Sequence, residues 1–303
     1  MITGASGDLG SHLTSYCKSH YDVIGVYRQN LIDLEGVRMV QADLCAGDQV
    51  QGLIDKYLPQ VVVHCAALIN LDQCERDPSQ TYRQNVLAVE NLVRSLQGKD
   101  IKLVFISTDC IYNLNGVAHT EDEPEAPVNE YGRSKFMGEK AALSLKGAVA
   151  LRTTFFSRGT SLKKSFYEQM ISSLLRDEKV RGFDDVFSSP LYVLDLVEII
   201  EQVVRKDLNG VFNAGTSNGV SKFILLRLIA ESLGLNTDLI EPISVDSLSL
   251  EAKRHKNAVL NVDRISVALG MKMPEVRESV ARFAEDFRKT SQGVDIDGQL
   301  RRS

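Results

Sequence analysis

The chain has 303 residues, of which 44% are hydrophobic and 25% charged, a composition typical of globular proteins and not of disordered or collagen-like ones. Its formal net charge of −5 leaves no basic excess, which argues against nucleic acid as a partner. No apolar run is long enough to cross a bilayer and no signal sequence is recognisable, so we expect no membrane association and a cytoplasmic protein whose five cysteines are reduced.

The first half of the chain alternates short apolar runs with helical patterns, which is typical of βαβ units. Strands are predicted at residues 22–27, 37–41, 61–65 and 103–107, and helices at 49–58 and 79–96. Strands that are apolar nearly throughout are typical of a parallel sheet covered on both faces. The sequence therefore predicts an α/β fold, a Rossmann-type doubly wound parallel sheet.

The pattern is looser in the second half. It predicts helices at 162–176, 194–205, 221–233 and 275–288, a strand at 211–214 and an irregular stretch at 241–261. We expect a dinucleotide-binding domain at 1–150, joined by part of 187–214, and a smaller interleaved α/β substrate domain within 151–303. The polar residues from about 290 predict a loose tail.

A glycine-rich turn opens the chain. Gly4, Gly7 and Gly10 form a GxxGxxG pattern that includes Ser6 and leads into a helical stretch. Such glycines allow a tight turn against a pyrophosphate, and the following helix offers free N–H groups to the phosphates. At the head of a βαβ series the pattern predicts a dinucleotide site, and it lacks the ending of a P-loop. Only two or three residues precede the turn, so the first strand is very short or the chain has been trimmed.

Three charged residues bear on this site. Asp8 lies in the first helical turn, where interaction with the helix dipole is the simpler interpretation than a contact with phosphates. Arg28 follows the second predicted strand, where an acid would favour NAD and an arginine can accept the 2′-phosphate of NADP. We therefore expect NADP(H) rather than NAD(H), with a solvated Arg28 as the alternative. Asp43 ends the third predicted strand, either at the adenine amino group or as a plain cap.

Tyr131 and Lys135 are four residues apart, which on a helix places them on one face. A neighbouring ammonium would lower the phenol pKa from about 10 and adapt Tyr131 to general acid–base chemistry. Thr108 ends a predicted strand, where α/β sheets bind ligands and a hydroxyl can bond to a substrate oxygen. The plainer alternatives are a surface helix with two polar residues and a strand-end cap. Together, the three residues predict a catalytic group.

These motifs together resemble the extended short-chain dehydrogenase/reductase superfamily, and within it the dTDP-4-dehydrorhamnose reductases and related nucleotide-sugar reductases. The resemblance spans almost all of the chain. It rests on the segments 4–10, 65–67, 85–92, 106–109, 127–139, 151–153 and 189–196.

The resemblance implies a role for each matching residue. Tyr131 would donate the proton, Lys135 would bind the nicotinamide ribose and lower the tyrosine pKa, and Thr108 would orient the keto oxygen. Ser6 and Arg28, which the glycine turn and the second strand indicate, are added to the cofactor-binding residues. The full expected set is Gly4, Ser6, Gly7, Asp8, Leu9, Gly10, Arg28, Asp43, Leu44, Cys65, Ala66, Ala67, Tyr131 and Lys135. The expected substrate contacts are Thr108, Asp109, Tyr131 and Phe155.

The chain also departs from the family at the sugar side. Cys110 stands where the family usually has an aromatic residue that touches the sugar, with Tyr112 nearby. Phe155 stands where a tryptophan is common. These departures leave the residues of the redox reaction in place.

The leading interpretation is NADPH-dependent reduction of a keto group on a nucleotide-linked deoxy sugar. The alternatives are a non-catalytic NADP-binding regulator that resembles the methionine adenosyltransferase β subunit, and a nucleotide-sugar epimerase that keeps NAD bound. The partners expected are a nucleotide-sugar substrate and, by family alone, a second copy in a homodimer. Arg152, Arg254 and Lys256 are candidates for the substrate diphosphate or else solvated charges. The five histidines are scattered, which predicts no metal site.

Overall fold

The computed structural model of the protein describes residues 1–113 and 118–290. Its strands are β1 Ile2–Thr3, β2 Ile24–Tyr27, β3 Arg38–Gln41, β4 Val61–His64, β5 Lys102–Ile106, β6 Val149–Thr153, β7 Phe155–Phe156, β8 Gly159–Thr160, β9 Lys163–Lys164, β10 Val180–Phe183, β11 Phe187–Ser188, β12 Leu191–Tyr192, β13 Gly210–Ala214, β14 Val220–Ser221, β15 Ile240–Ile243 and β16 Asn257–Ala258. Its α-helices are α1 Asp8–Cys17, α2 Gly47–Tyr57, α3 Leu71–Arg76, α4 Pro78–Tyr82, α5 Ala88–Leu96, α6 Glu130–Leu143, α7 Phe166–Leu174, α8 Val193–Arg205, α9 Lys222–Leu233, α10 Asp263–Leu269 and α11 Val276–Thr290. A π-helical turn covers Arg83–Leu87, and 3₁₀ turns cover Asp109–Ile111, Thr237–Leu239 and Val245–Ser247.

A parallel sheet forms the centre of the molecule. In the described part of the chain it has seven strands in the order β13-β6-β5-β4-β1-β2-β3, and every neighbouring pair is parallel. The strand order reverses between β1 and β4, and ligands of open α/β sheets bind outside the carboxyl ends of the strands at such a point. The predicted doubly wound α/β fold is confirmed.

Apolar layers cover the two faces of this sheet. Along β5, Leu103 and Phe105 pack into one hydrophobic cluster with α2 and α5, while Val104 and Ile106 pack into the other with α1 and α8. Because successive side chains of a strand point to opposite faces, a strand buried on both faces must be apolar throughout. This requirement explains the unbroken apolar runs in the sequence.

Several predicted elements need correction. The helix predicted at 162–176 begins later, because β9 pairs with β8 in a hairpin and the Ser165 side chain caps the first turn of α7. The stretch predicted as irregular at 241–261 contains most of β15, which pairs in parallel with β10. β15 is only four residues long and includes Pro242, so it shows no strand pattern in sequence.

The helix predicted at 79–96 is divided. Asp77 caps α4 and Pro78 is its first residue, which agrees with the predicted start, but the π-helical turn separates α4 from α5. The predicted tail from about 290 lies almost wholly outside the described residues, and the domain division at residue 150 stays a prediction. In the described part of the chain, no helix combines the length and the apolar character needed to span a bilayer.

Candidate active site

The glycine turn between β1 and α1 lies at the point where the strand order reverses. Gly4 has a φ of +67°, and a Cβ on it would lie 2.7 Å from the backbone nitrogen of Ala66. A Cβ on Gly10 would lie 2.1 Å from the carbonyl oxygen of Gly4. Backbone therefore packs against backbone throughout this turn, and any side chain at Gly4 or Gly10 would force the backbone to shift.

The same turn offers hydrogen-bond donors that have no partner within the described residues. Gly7 is the N-cap of α1 and supplies no side chain to cap the first N–H groups of that helix. The buried Ser6 hydroxyl also lacks a partner among the described residues. Free N–H groups at a helix N-terminus and a hydroxyl beside them are the groups that bind a phosphate. The residues present thus fit the pyrophosphate of a dinucleotide.

Asp8 joins this turn to a distant loop. Its carboxylate accepts a hydrogen bond from the Ser157 hydroxyl, and its other oxygen lies 3.6 Å from Nδ1 of His12. One oxygen of the Asp8 carboxylate is thus hydrogen-bonded within the protein, and the other is buried without a hydrogen-bond partner among the described residues. Leu9, the next residue, is buried against the sheet.

The other predicted cofactor residues lie along the carboxyl edge of the sheet. Arg28 is exposed directly after β2, and its carbonyl oxygen accepts a hydrogen bond from the Gln41 side chain. Asp43 accepts a hydrogen bond from the backbone N–H of Cys45, so its side chain closes the turn before α2. Four more residues extend this edge: Leu44, which is buried, and Cys65, Ala66 and Ala67, which follow β4 and are half-buried.

Helix α6 carries Tyr131 and Lys135. The helix starts at Asn129, whose side-chain oxygen accepts a hydrogen bond from the backbone N–H of Gly132 at 2.8 Å. One turn further on, Nζ of Lys135 donates to the carbonyl oxygen of Ile106 at 2.8 Å. Burial lowers the pKa of Lys135 to about 8. Lys135 is thereby fixed at the carboxyl end of β5.

Thr108 lies close to Tyr131, and its hydroxyl donates to the Asp109 carboxylate at 3.3 Å. Burial raises the pKa of the half-buried Tyr131 above its ordinary value, and a hydrogen bond with Thr108 acts in the opposite direction. Lys135 was expected to lower the pKa of Tyr131, and this effect is not seen. The Lys135 ammonium bonds to the Ile106 carbonyl, and burial of the phenol has the largest effect on its pKa. The Thr108 hydroxyl also accepts from the Cys110 N–H, so it does serve as a cap. A raised pKa keeps the phenol protonated, which is the state of a proton donor.

Arg152 is an interior residue and not a free cation for a substrate. It is 2% exposed, and its Nη2 lies 2.6 Å from the carboxylate of Glu139 on α6. That carboxylate also accepts from the Ser107 hydroxyl at 2.6 Å. The other two candidate cations pair on the protein as well: Arg254 with Asp72, and Lys256 with Asp185 and Asp246.

The aromatic residues near the predicted sugar side differ in burial. Tyr112 is fully buried, donates to the Thr120 carbonyl and contacts Arg152, so it cannot replace the aromatic contact that Cys110 lacks. Phe155 in β7 is half-buried and packs against the core. Of these two, only Phe155 keeps a partly open ring.

Three residues that the sequence did not single out for binding surround Asp109. Burial raises the pKa of Asp109 to about 6, and the charge of Lys222 on α9 opposes that effect. The charge of Asp109 in turn raises the pKa of Tyr167 on α7, which burial has already raised. His255, just before β16, lies within reach of Asp109 and Cys110. Each comes from a different segment and belongs to no motif, so only the fold brings them together.

Asn85 lies within the π-helical turn and connects two parts of the site. Its side chain accepts from the backbone N–H of Leu68 at 2.7 Å and donates to the Leu68 carbonyl and to the Ser134 hydroxyl on α6. It therefore holds the loop after β4 against the helix that carries Tyr131.

Comparisons with known proteins find relatives that match this chain over most of its length. The chain is 27% identical over 293 residues to a probable low-salt glycan biosynthesis reductase of Haloferax volcanii, covering 94% of this chain and 97% of that protein. It is 28% identical over 302 residues to methionine adenosyltransferase 2 subunit beta of Rattus norvegicus, covering 95% and 89%.

A solved structure is similar along nearly its full length. The crystal structure of dTDP-4-dehydrorhamnose reductase from Bacillus anthracis in complex with NADP superimposes with a TM-score of 0.80 at 25% identity, covering 94% of this chain and 98% of that one. The predicted class, an NAD(P)-dependent oxidoreductase of the extended short-chain dehydrogenase/reductase type, is confirmed. The family model described as "RmlD substrate binding domain" matches residues 1–289, and the chain belongs to that family.

Proposed function

We propose that this protein uses NADPH to reduce a keto group on a nucleotide-linked deoxy sugar, with Tyr131 as the proton donor. The observation that carries the proposal is that α6 places Tyr131 and Lys135 at the carboxyl edge of the sheet, next to Thr108 at the end of β5. Relatives of this chain with reductase names support the reaction type.

The chain's own residues account for the proton. NADPH, when bound, supplies the hydride. As negative charge develops on the substrate oxygen, the protonated Tyr131 phenol is placed to neutralise it and the Thr108 hydroxyl to donate a hydrogen bond. A Lys135 pKa of about 8 leaves most of its ammonium charged at neutral pH. We assign that ammonium to the ribose of the nicotinamide half of NADPH.

The proposed cofactor preference depends on Arg28. Its exposed side chain directly follows β2, where an arginine can pair with the 2′-phosphate that distinguishes NADP from NAD. Gly4, Ser6, Gly7 and Gly10 would hold the pyrophosphate. On the sugar side, we assign Asp109 and Phe155 to substrate contact. A homodimer, expected from the family alone, would be tested by analytical ultracentrifugation.

The decisive test is turnover by the full chain with a panel of 4-keto sugar nucleotides, followed as NADPH oxidation. Tyr131→Phe should lower kcat by about 10²–10⁴-fold, because general acid catalysis is lost. NADPH affinity, measured by fluorescence titration, should be unchanged. Tyr82→Phe is the matched control, since Tyr82 is 40% exposed and lies outside the site.

Turnover by Tyr131→Phe at the wild-type rate would remove Tyr131 from the mechanism. NADPH binding with no oxidation by any sugar nucleotide would reject the reductase proposal and favour a non-catalytic regulator. Interconversion of epimers without net NADPH consumption would favour the epimerase.

A further inference from the structure

We propose that Asp109, Cys110 and His255 form a binding site for a divalent transition metal of the Zn²⁺ type. One ligand atom from each of the three residues lies within 4.8 Å of the other two, and all three residues are buried. The carboxylate oxygen of Asp109 and Sγ of Cys110 are already 3.6 Å apart. The scattered histidines predicted no metal site, and it is the fold that brings His255 to the other two ligands.

The donor types match the chemistry of zinc. Zinc binds thiolate sulfur, imidazole nitrogen and carboxylate oxygen, and sites with three protein ligands keep a fourth position open. Two ligands of one tetrahedral zinc lie roughly 3.5 Å apart, as metal–ligand distances of about 2.0–2.3 Å require. No pair of ligand atoms would therefore need to close by more than about 1.3 Å. The pair formed by Asp109 and Cys110 is already at the required spacing.

An unpartnered nitrogen is the second observation. Nδ1 of His255 is buried and has no hydrogen-bond partner among the described residues. Buried polar atoms almost always have a partner, and an exception calls for a water or an ion. A metal ion would satisfy this nitrogen.

The charges also permit a dication. An Asp109 carboxylate and a Cys110 thiolate would together balance it. Burial raises the pKa of the Cys110 thiol, so metal binding would have to release the thiol proton to solvent. The Lys222 ammonium lies near both Asp109 and Cys110. The same ammonium repels a metal, so its charge would limit the affinity of the site.

The site lies on the substrate side of the proposed active centre. Asp109 and Cys110 form the 3₁₀ turn directly after Thr108, and β16, which follows His255, packs against this turn. Cys110 also stands where the family usually has an aromatic residue. A metal there would give this chain a ligand for a substrate oxygen in place of an aromatic contact.

The test is metal binding by the full chain, measured without turnover. Protein stripped with a chelator is incubated with Zn²⁺ for elemental analysis and with Co²⁺ for absorption spectroscopy. We expect one metal per chain and, with cobalt, a thiolate-to-metal charge-transfer band. Cys110→Ser should abolish that band, and His255→Ala should weaken zinc affinity at least about tenfold, a loss of about 1.4 kcal/mol. Cys17→Ser, a half-buried thiol outside the cluster, should behave like wild type.

Thermal unfolding and NADPH titration of each variant separate a lost ligand from a lost fold. The proposal would be overturned if the wild-type protein bound no stoichiometric metal. Lys222 would then be the counter-ion of Asp109. A cobalt band that survives Cys110→Ser, or unchanged affinity in a folded His255→Ala, would overturn it as well. Failure of metal binding with intact NADPH oxidation would leave the proposed reductase standing.

Discussion

The glycine turn and helix α6 form two sides of the same site, but different forces hold them. The turn is fixed by contiguous backbone: the N–H of Gly7 donates to the Gly4 carbonyl at 2.8 Å, and Gly10 packs against that same carbonyl. Helix α6 is fixed by side chains that reach it from distant strands and helices, chiefly Arg152 through Glu139. Substitutions in the turn should therefore act through steric fit, and substitutions behind α6 through buried charge.

Arg152→Met should have the largest effect on stability. It leaves the buried carboxylate of Glu139 without its ion-pair partner, and breaking a buried pair in this way costs about 3–5 kcal/mol. Urea unfolding would measure this loss of unfolding free energy. Arg176→Met removes an exposed pair with Glu178 and should leave the unfolding midpoint unchanged. Equal midpoints for the two variants would mean that buried charge does not hold α6.

Gly10→Ala should weaken NADPH binding by about 10–100-fold. The new Cβ must displace the Gly4 carbonyl, and such overpacking costs about 1–3 kcal/mol. Fluorescence titration with NADPH gives the affinity. Gly52→Ala is the matched control, because Gly52 lies in α2 with no atom within 4 Å of its added Cβ. Wild-type affinity in Gly10→Ala would show that the turn adapts and is not sterically fixed.

Arg28→Ala tests a third kind of contact, an exposed charge beside the turn. We expect about fivefold weaker NADPH binding with NADH binding unchanged, since exposed ion pairs contribute up to about 1 kcal/mol. Arg181→Ala, also exposed but on β10, should change neither affinity. Parallel loss of both cofactors would assign Arg28 to the shape of the turn instead of to the 2′-phosphate.

The two sides of the site also differ in how far sequence could predict them. The glycines contact residues that are near them in the chain, and Tyr131 and Lys135 share one helical turn. The spacing of these residues in the sequence is therefore enough to predict their arrangement. Arg152 has no such local signature, and its burial against Glu139 follows only from the packing of α6 on β6. Its charge suggested a free substrate contact, which the structure contradicts.

The residues that surround Asp109 are the part of the site that the sequence predicts least. Lys222 and His255 come from segments joined to it only by tertiary structure, and neither stands in a recognisable pattern. The burial that changes the pKa values of Asp109 and His255 is likewise a property of the packed molecule. Main-chain geometry is encoded locally, whereas the electrostatics of a pocket are encoded by the whole chain.

The π-helical turn at Arg83–Leu87 makes the structure sensitive to the number of residues in this segment. Deleting one residue there would restore ordinary α-helical winding, and the residues left in the turn would shift around the helix axis relative to α5. Asn85 could then no longer face Leu68 and Ser134 together. Single-residue deletions should thus be tolerated far less in this segment than conservative replacements, because the number of residues in the turn determines which side of the helix Asn85 faces.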